Sequence, residues 1–277
     1  YDLLGWLGWF LLALLIVIGL WRSWESSPFT PVRKWIFLVI LGAATIFTSL
    51  FFGMRLSTEN VLPIPGIPVE SSAPYWMFFQ AVPWMLAAGW IGPWGAVLVG
   101  GFNGLLAGIW GTHHTFTMLE LAASALIFSQ LIRQRYASRS YQILRHPFIA
   151  ALALAGLTVP LYLTTALFIT GGSIAARLDY ALTQTWPLIG ARILEMLLGG
   201  VVAELAALVW RKGWGRQDTL RPSPADTSLQ TRFLYTTLPW AGVLFLVMVL
   251  TDWWVAGAAA QRMVRQQLES TARVASE

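Results

Sequence analysis

LLGWLGWFLLALLIVIGLW, residues 3–21, runs for nineteen residues without a charge or a proline. As a helix it would rise about 28 Å at 1.5 Å per residue, close to the roughly 30 Å hydrocarbon core of a bilayer. It has neither the basic leader nor the small-residue cleavage site of a signal peptide, so it reads as a span. The rest of the 277-residue chain has the same character: 57% hydrophobic, 11% charged, mean hydropathy +0.63. Soluble domains carry about 25% charged residues. The composition excludes a disordered chain, a nucleic-acid-binding domain and an ordinary cytosolic enzyme. With no Cys there is no disulfide framework, thiol nucleophile or thiolate metal site. Tyr1 in place of Met, and a helical pattern running uncapped to Glu277, read as a segment of a longer polypeptide.

Seven further apolar runs follow, at residues 35–54, 75–91, 94–112, 117–132, 148–170, 186–210 and 233–256. The expectation is an all-α, polytopic membrane bundle of about eight transmembrane helices. The 75–112 region reads either as two spans or as a hairpin that enters and leaves through one face, turning at Gly92-Pro93. Three alternate loops carry Arg22, Arg33 and Lys34, then Arg133, Arg135, Arg139 and Arg145, then Arg211, Lys212, Arg216, Arg221 and Arg232. These are twelve of the 18 basic residues, whereas the intervening loops hold only Arg55 and Arg177. The positive-inside rule therefore puts both termini outside an inner membrane.

Pro222-Ser223-Pro224 marks an inner linker, 217–231, between a multi-span body (1–216) and a final span (232–256). Residues 257–277 continue as an amphipathic stalk with Arg262, Val264, Arg265 and Leu268, leading outward towards a further domain. Residues 173–184 read as an interfacial helix or as a loop with a helical turn.

Ala96, Gly100, Gly104, Gly108 and Thr112 place a small residue at every fourth position, a flat face for close helix packing. Ionisable groups inside spans are costly and mark candidate sites. Arg192 and Glu195, three apart, share a helix face. Glu120 lies at a similar depth, and His113 and His114 precede it on the same side. Asn103, His113, His114, Glu120, Arg192 and Glu195 thus form the expected ligand-binding set. In it Arg192 offers its planar fork of donors and the histidines rim the mouth, with a pH response near their ordinary range. Gln80 is a further polar residue within a span, and Glu204 is expected to meet a basic inner loop. Adjacent histidines seldom aim both rings at one ion, so no metal is expected. No hydrolytic triad, phosphate loop or dinucleotide fingerprint occurs, and the region reads as non-catalytic and free of cofactors.

The stretch from Gln80-Ala81-Val82-Pro83 through Gly92-Pro93-Trp94-Gly95 to Gly100-Gly101-Phe102-Asn103-Gly104 resembles the five-span receptor domain of LytS-type sensor kinases. A weaker similarity is to substrate-binding S-components of energy-coupling-factor transporters. The first resemblance implies a sensory input module of a bacterial signal-transduction receptor, binding a small ligand and dimerising through the final span and stalk. The second implies a transporter component, and a structural subunit of a larger membrane complex is the third reading. Where such receptors often show a basic residue after the glycine helix, this chain has Thr112-His113-His114.

Overall fold

The computed structural model describes residues 1–23, 32–55, 75–210 and 214–215, with the isolated helical positions 233, 237, 241, 244 and 248. Among the described residues the fold is all-α apart from one short strand pair. The chain divides into two units, Tyr1–Leu220 and Arg221–Glu277. In the second unit the described positions, Phe233, Thr237, Ala241, Leu244 and Met248, are helical and exposed, spaced three or four residues apart. The rest of the linker, the final span and the stalk lies outside the described residues.

In the first unit α1 spans Leu3–Arg22 and α2 Val32–Leu50. The Asp2 carboxylate caps α1 by accepting from the Gly5 N–H at 2.9 Å, and Ser23 closes it with N–H and hydroxyl bonds to Gly19 and Leu20. Arg177 also pairs with Asp2. These two contacts hold the Asp2 carboxyl below the usual carboxylate range, with Arg177 the larger cause. After α2, β1 (Gly53–Arg55) pairs antiparallel with β2 (Tyr75–Met77), setting Met54 opposite Trp76. Then come α3 (Val82–Trp90), α4 (Pro93–Ala107) with a π-helical turn at Gly108–Thr112, α5 (Phe116–Ile132) and α6 (Arg139–Leu144). The long α7 (Pro147–Ile169), α8 (Ile174–Gln184) and α9 (Trp186–Val209) complete the unit.

Three of the described helices are long and apolar enough to cross a membrane: Leu3–Arg22, Pro93–Thr112 and Pro147–Ile169. Lys34–Leu50 and Phe116–Ile132 are apolar but shorter. Burial is inverted relative to a water-soluble protein. Leu3, Phe10, Trp21 and Val39 are exposed, while Gln80, Asn103, Glu120, Arg192 and Glu195 are buried. That is the distribution expected when hydrocarbon is the solvent, and it marks a membrane protein.

The run 75–91 is not a span. Its first residues form β2, and α3 begins around Pro83, which sits in the first turn where its missing N–H leaves no helical bond unmade. The nine residues of α3 rise about 14 Å, half of a bilayer core. Gly92, in a left-handed backbone at φ 119°, then reverses the chain into α4. Arg133 fixes this reversal by donating from Nε to the Ala88 carbonyl at 2.7 Å and from Nη2 to Gly89 at 2.6 Å. These carbonyls belong to the open C-terminus of α3, where a cation is favourable. The short helix is thus enclosed by the others: Trp84, Met85, Ala87 and Ala88 have no exposed surface. Residues 173–184 resolve to a helix capped by the Ser173 hydroxyl at the Ala176 N–H.

Candidate functional site

Two positions on α9, two strand or turn residues and one position each on α2 and α4 build a continuous buried network. The Arg192 Nη1 donates to Glu195 Oε2 at 2.6 Å and also to Gln80 Oε1. Glu195 Oε1 accepts the Met77 backbone N–H at 2.9 Å. The strand that replaces the expected third span therefore supplies a donor that a helix would have used internally. The Gln80 amide donates to Asn103 Oδ1 at 2.8 Å, and Asn103 Nδ2 returns a bond to the Gln80 carbonyl at 2.5 Å. Ser49 adds its hydroxyl to Asn103 Oδ1 at 3.2 Å. The Tyr75 ring lies 5.7 Å from the Arg192 guanidinium carbon, near enough for a cation–π contact. Its hydroxyl stands beside Arg192 but donates to the Ala107 carbonyl at 3.2 Å.

A second group faces the same guanidinium. Glu120, on α5, takes the Thr165 hydroxyl of α7 on Oε1, and its Oε2 has no partner. The buried Tyr162 hydroxyl also has none, and neither do Arg192 Nε and Nη2. Glu120, Tyr162 and Arg192 lie close enough for their charges to interact. Buried polar atoms are nearly always bonded to protein or water. Four unmet atoms from three helices, gathered around one charged group, are what a ligand's polar groups would complete.

The histidines separate. His113 is exposed, on a left-handed backbone at φ 57°, and stands apart from the network. His114 is half-buried, with Nδ1 3.2 Å from the Thr117 hydroxyl, which in turn meets Thr112 at 2.6 Å. Burial, reinforced by the Arg192 charge, pushes His114 down to about 4. The expected response near the ordinary histidine range is therefore displaced to acid. Between pH 6.5 and about 4 the unfolded chain binds a proton at this residue that the folded chain refuses, so stability falls as pH is lowered across that window. His114→Asn should flatten this acid-side loss in denaturation midpoints taken from pH 7 to 4.5. An unchanged profile would remove His114 from the acid response.

The structure thus joins Arg192 and Glu195 directly and Asn103 to them through Gln80, places Glu120 beside them, sets His114 at the margin and leaves His113 outside. Tyr75, Tyr162 and Thr165 escaped the sequence reading, and Gln80 proves central to the network. One signal was present: Thr158, Tyr162 and Thr165, spaced i, i+4 and i+7, form a buried polar stripe on the largely apolar α7. At the opposite end Glu204 meets His146 at 3.3 Å and the Phe148 N–H at 3.1 Å, so it caps α7 instead of joining a site. Among the described residues no three His, Asp or Glu side chains gather as a metal site would require. The chain matches no protein-family model, no curated protein and no solved structure.

Proposed function

We propose that this chain is the multi-pass membrane input module of a bacterial signal-transduction receptor, set in the inner membrane. In this reading it binds a small molecule in the outer half of its bundle and carries no catalysis of its own. The observation that carries the reading is the set of unmet buried atoms: Arg192 Nε and Nη2, Glu120 Oε2 and the Tyr162 hydroxyl. A purely structural ion pair needs no free donor edge, and leaving one in hydrocarbon is costly. Signal would pass through α4, α5, α7 and α9, which meet at this cluster, to a dimer formed through the final span and stalk. The clustering of Arg133 and Arg145 at the end opposite Arg192 and Arg177 supports the orientation with that cluster outward.

The test is a thermal-shift screen of several hundred polar metabolites against the full chain in lipid nanodiscs, beside an Arg192→Met, Glu195→Met double variant. At least one metabolite should raise the melting temperature of the wild type and leave the folded double variant unmoved. A wild type that no metabolite stabilises, or a double variant stabilised equally, makes the pair structural and ends the receptor reading.

A further inference from the structure

We infer that the buried cluster takes a small protonated amine that also carries a carbonyl or carboxylate oxygen, the amine at Glu120 and the oxygen on the free edge of Arg192. The inference rests on the receptor reading above and specifies its ligand class.

The argument begins with which edge of Arg192 is occupied. Glu195 and Gln80 both converge on Nη1. Nε and Nη2 together form the side-on fork of a guanidinium, two parallel N–H groups that match a pair of oxygen lone pairs. In this chain that fork is buried, complete and unpartnered. Only an oxygen acceptor satisfies it.

Charge then decides the other end. Arg192 and Glu195 neutralise each other as a bonded pair. The fork therefore asks for lone pairs more than for a negative charge. Glu120 is the remaining carboxylate, 1% exposed, with one oxygen held by Thr165 and the other free. No Lys or Arg forms an ion pair with it among the described residues. A buried carboxylate in that position calls for a cation with N–H donors, which an ammonium supplies. The Tyr162 hydroxyl, charge-coupled to Glu120 and Arg192 and otherwise unpartnered, is placed to accept from the ammonium or donate to the oxygen. The Tyr75 ring, 5.7 Å from the guanidinium carbon, offers the remainder of a ligand an apolar face.

The experiment measures binding of matched probes to the full chain in nanodiscs: α- and ω-amino acids, their amides, and the corresponding acids lacking the amine. At least one amino acid or amide should bind, with its deaminated counterpart roughly 10- to 100-fold weaker, the usual scale for a hydrogen bond to a charged group. Glu120→Gln should bring the amine probe and its deaminated counterpart to nearly equal affinity, and Tyr162→Phe should weaken the amine probe while the protein stays folded. Whether amide or acid binds more tightly tells which oxygen the fork prefers, and either result upholds the class. Acids that bind as well as their amino parents overturn it, as does a failure of every amine probe to bind. The two readings fail separately. A non-amine hit in the metabolite screen ends this inference and leaves the receptor reading standing, whereas no hit at all ends both.

Discussion

Arg192→Met should destabilise the folded domain by about 3–5 kcal/mol, the usual cost of removing one member of a buried ion pair. Glu195 would keep only the Met77 N–H, and Gln80 Oε1 would lose its donor. Both would remain in a site with almost no exposure to solvent. Adding Glu195→Met to the same chain should recover a large part of the loss, because the stranded carboxylate disappears and two apolar side chains fill similar space. The recovery should be incomplete: Gln80 Oε1 stays without its Arg192 donor and the Met77 N–H loses its Glu195 acceptor, each at about 1–3 kcal/mol for a buried polar group. Unfolding in mixed micelles of the wild type, both single variants and the double closes a cycle whose coupling measures the pair. A single variant as stable as the wild type would show that water or lipid headgroups already reach this depth, and the cluster would no longer count as a sealed site.

Most of the helices were legible because a bilayer imposes a simple rule: long apolar runs must become helices that satisfy their own backbone. Residues 3–21, 117–132, 148–170 and 186–210 each appear as one helix within a residue or two of the expected ends. Residues 75–91 did not, because apolar content cannot tell a full span from a strand followed by half a span. Pro83, which sits in the first turn of α3, was the one local sign favouring a helix start there over one at Tyr75. The charged members of the site were legible for the same reason as the spans, since Glu120, Arg192 and Glu195 are expensive in lipid. Their partners were not. The Met77 N–H is a backbone group freed only by the strand, and Tyr75 reaches the guanidinium through tertiary packing that no spacing along the chain records, whereas Tyr162 left a trace only in the polar stripe of α7. The adjacent histidines misled in the opposite sense, because lying on the same side as Glu120 suggested that both reach the site, whereas His113, on a left-handed backbone, is exposed and His114 is half-buried.

Gly104→Ala should be strongly damaging for a single-methyl change, lowering stability by about 1–3 kcal/mol through overpacking. A Cβ at Gly104 would fall 2.4 Å from the Thr117 carbonyl oxygen and 2.5 Å from the Met118 Cα, and both are backbone atoms of α5 that no rotamer change can clear. The two helices would have to part. Gly101 supplies the control. A Cβ there meets only the Ala122 Cβ at 3.8 Å, an ordinary contact, so Gly101→Ala should be neutral or gain up to about 1 kcal/mol from helix propensity. The contrast separates helix propensity from packing, since both residues lie on α4 three positions apart. It also bears on the site. Gly104 adjoins Asn103, which anchors Gln80 and through it Arg192, while α5 carries Glu120 three residues beyond Thr117. Prising α4 from α5 should therefore weaken binding of any ligand that bridges Arg192 and Glu120, even in protein that remains folded. A Gly104→Ala variant with normal stability and normal binding would show that α4 and α5 can part without moving the cluster, and the small-residue face would then have no part in positioning it.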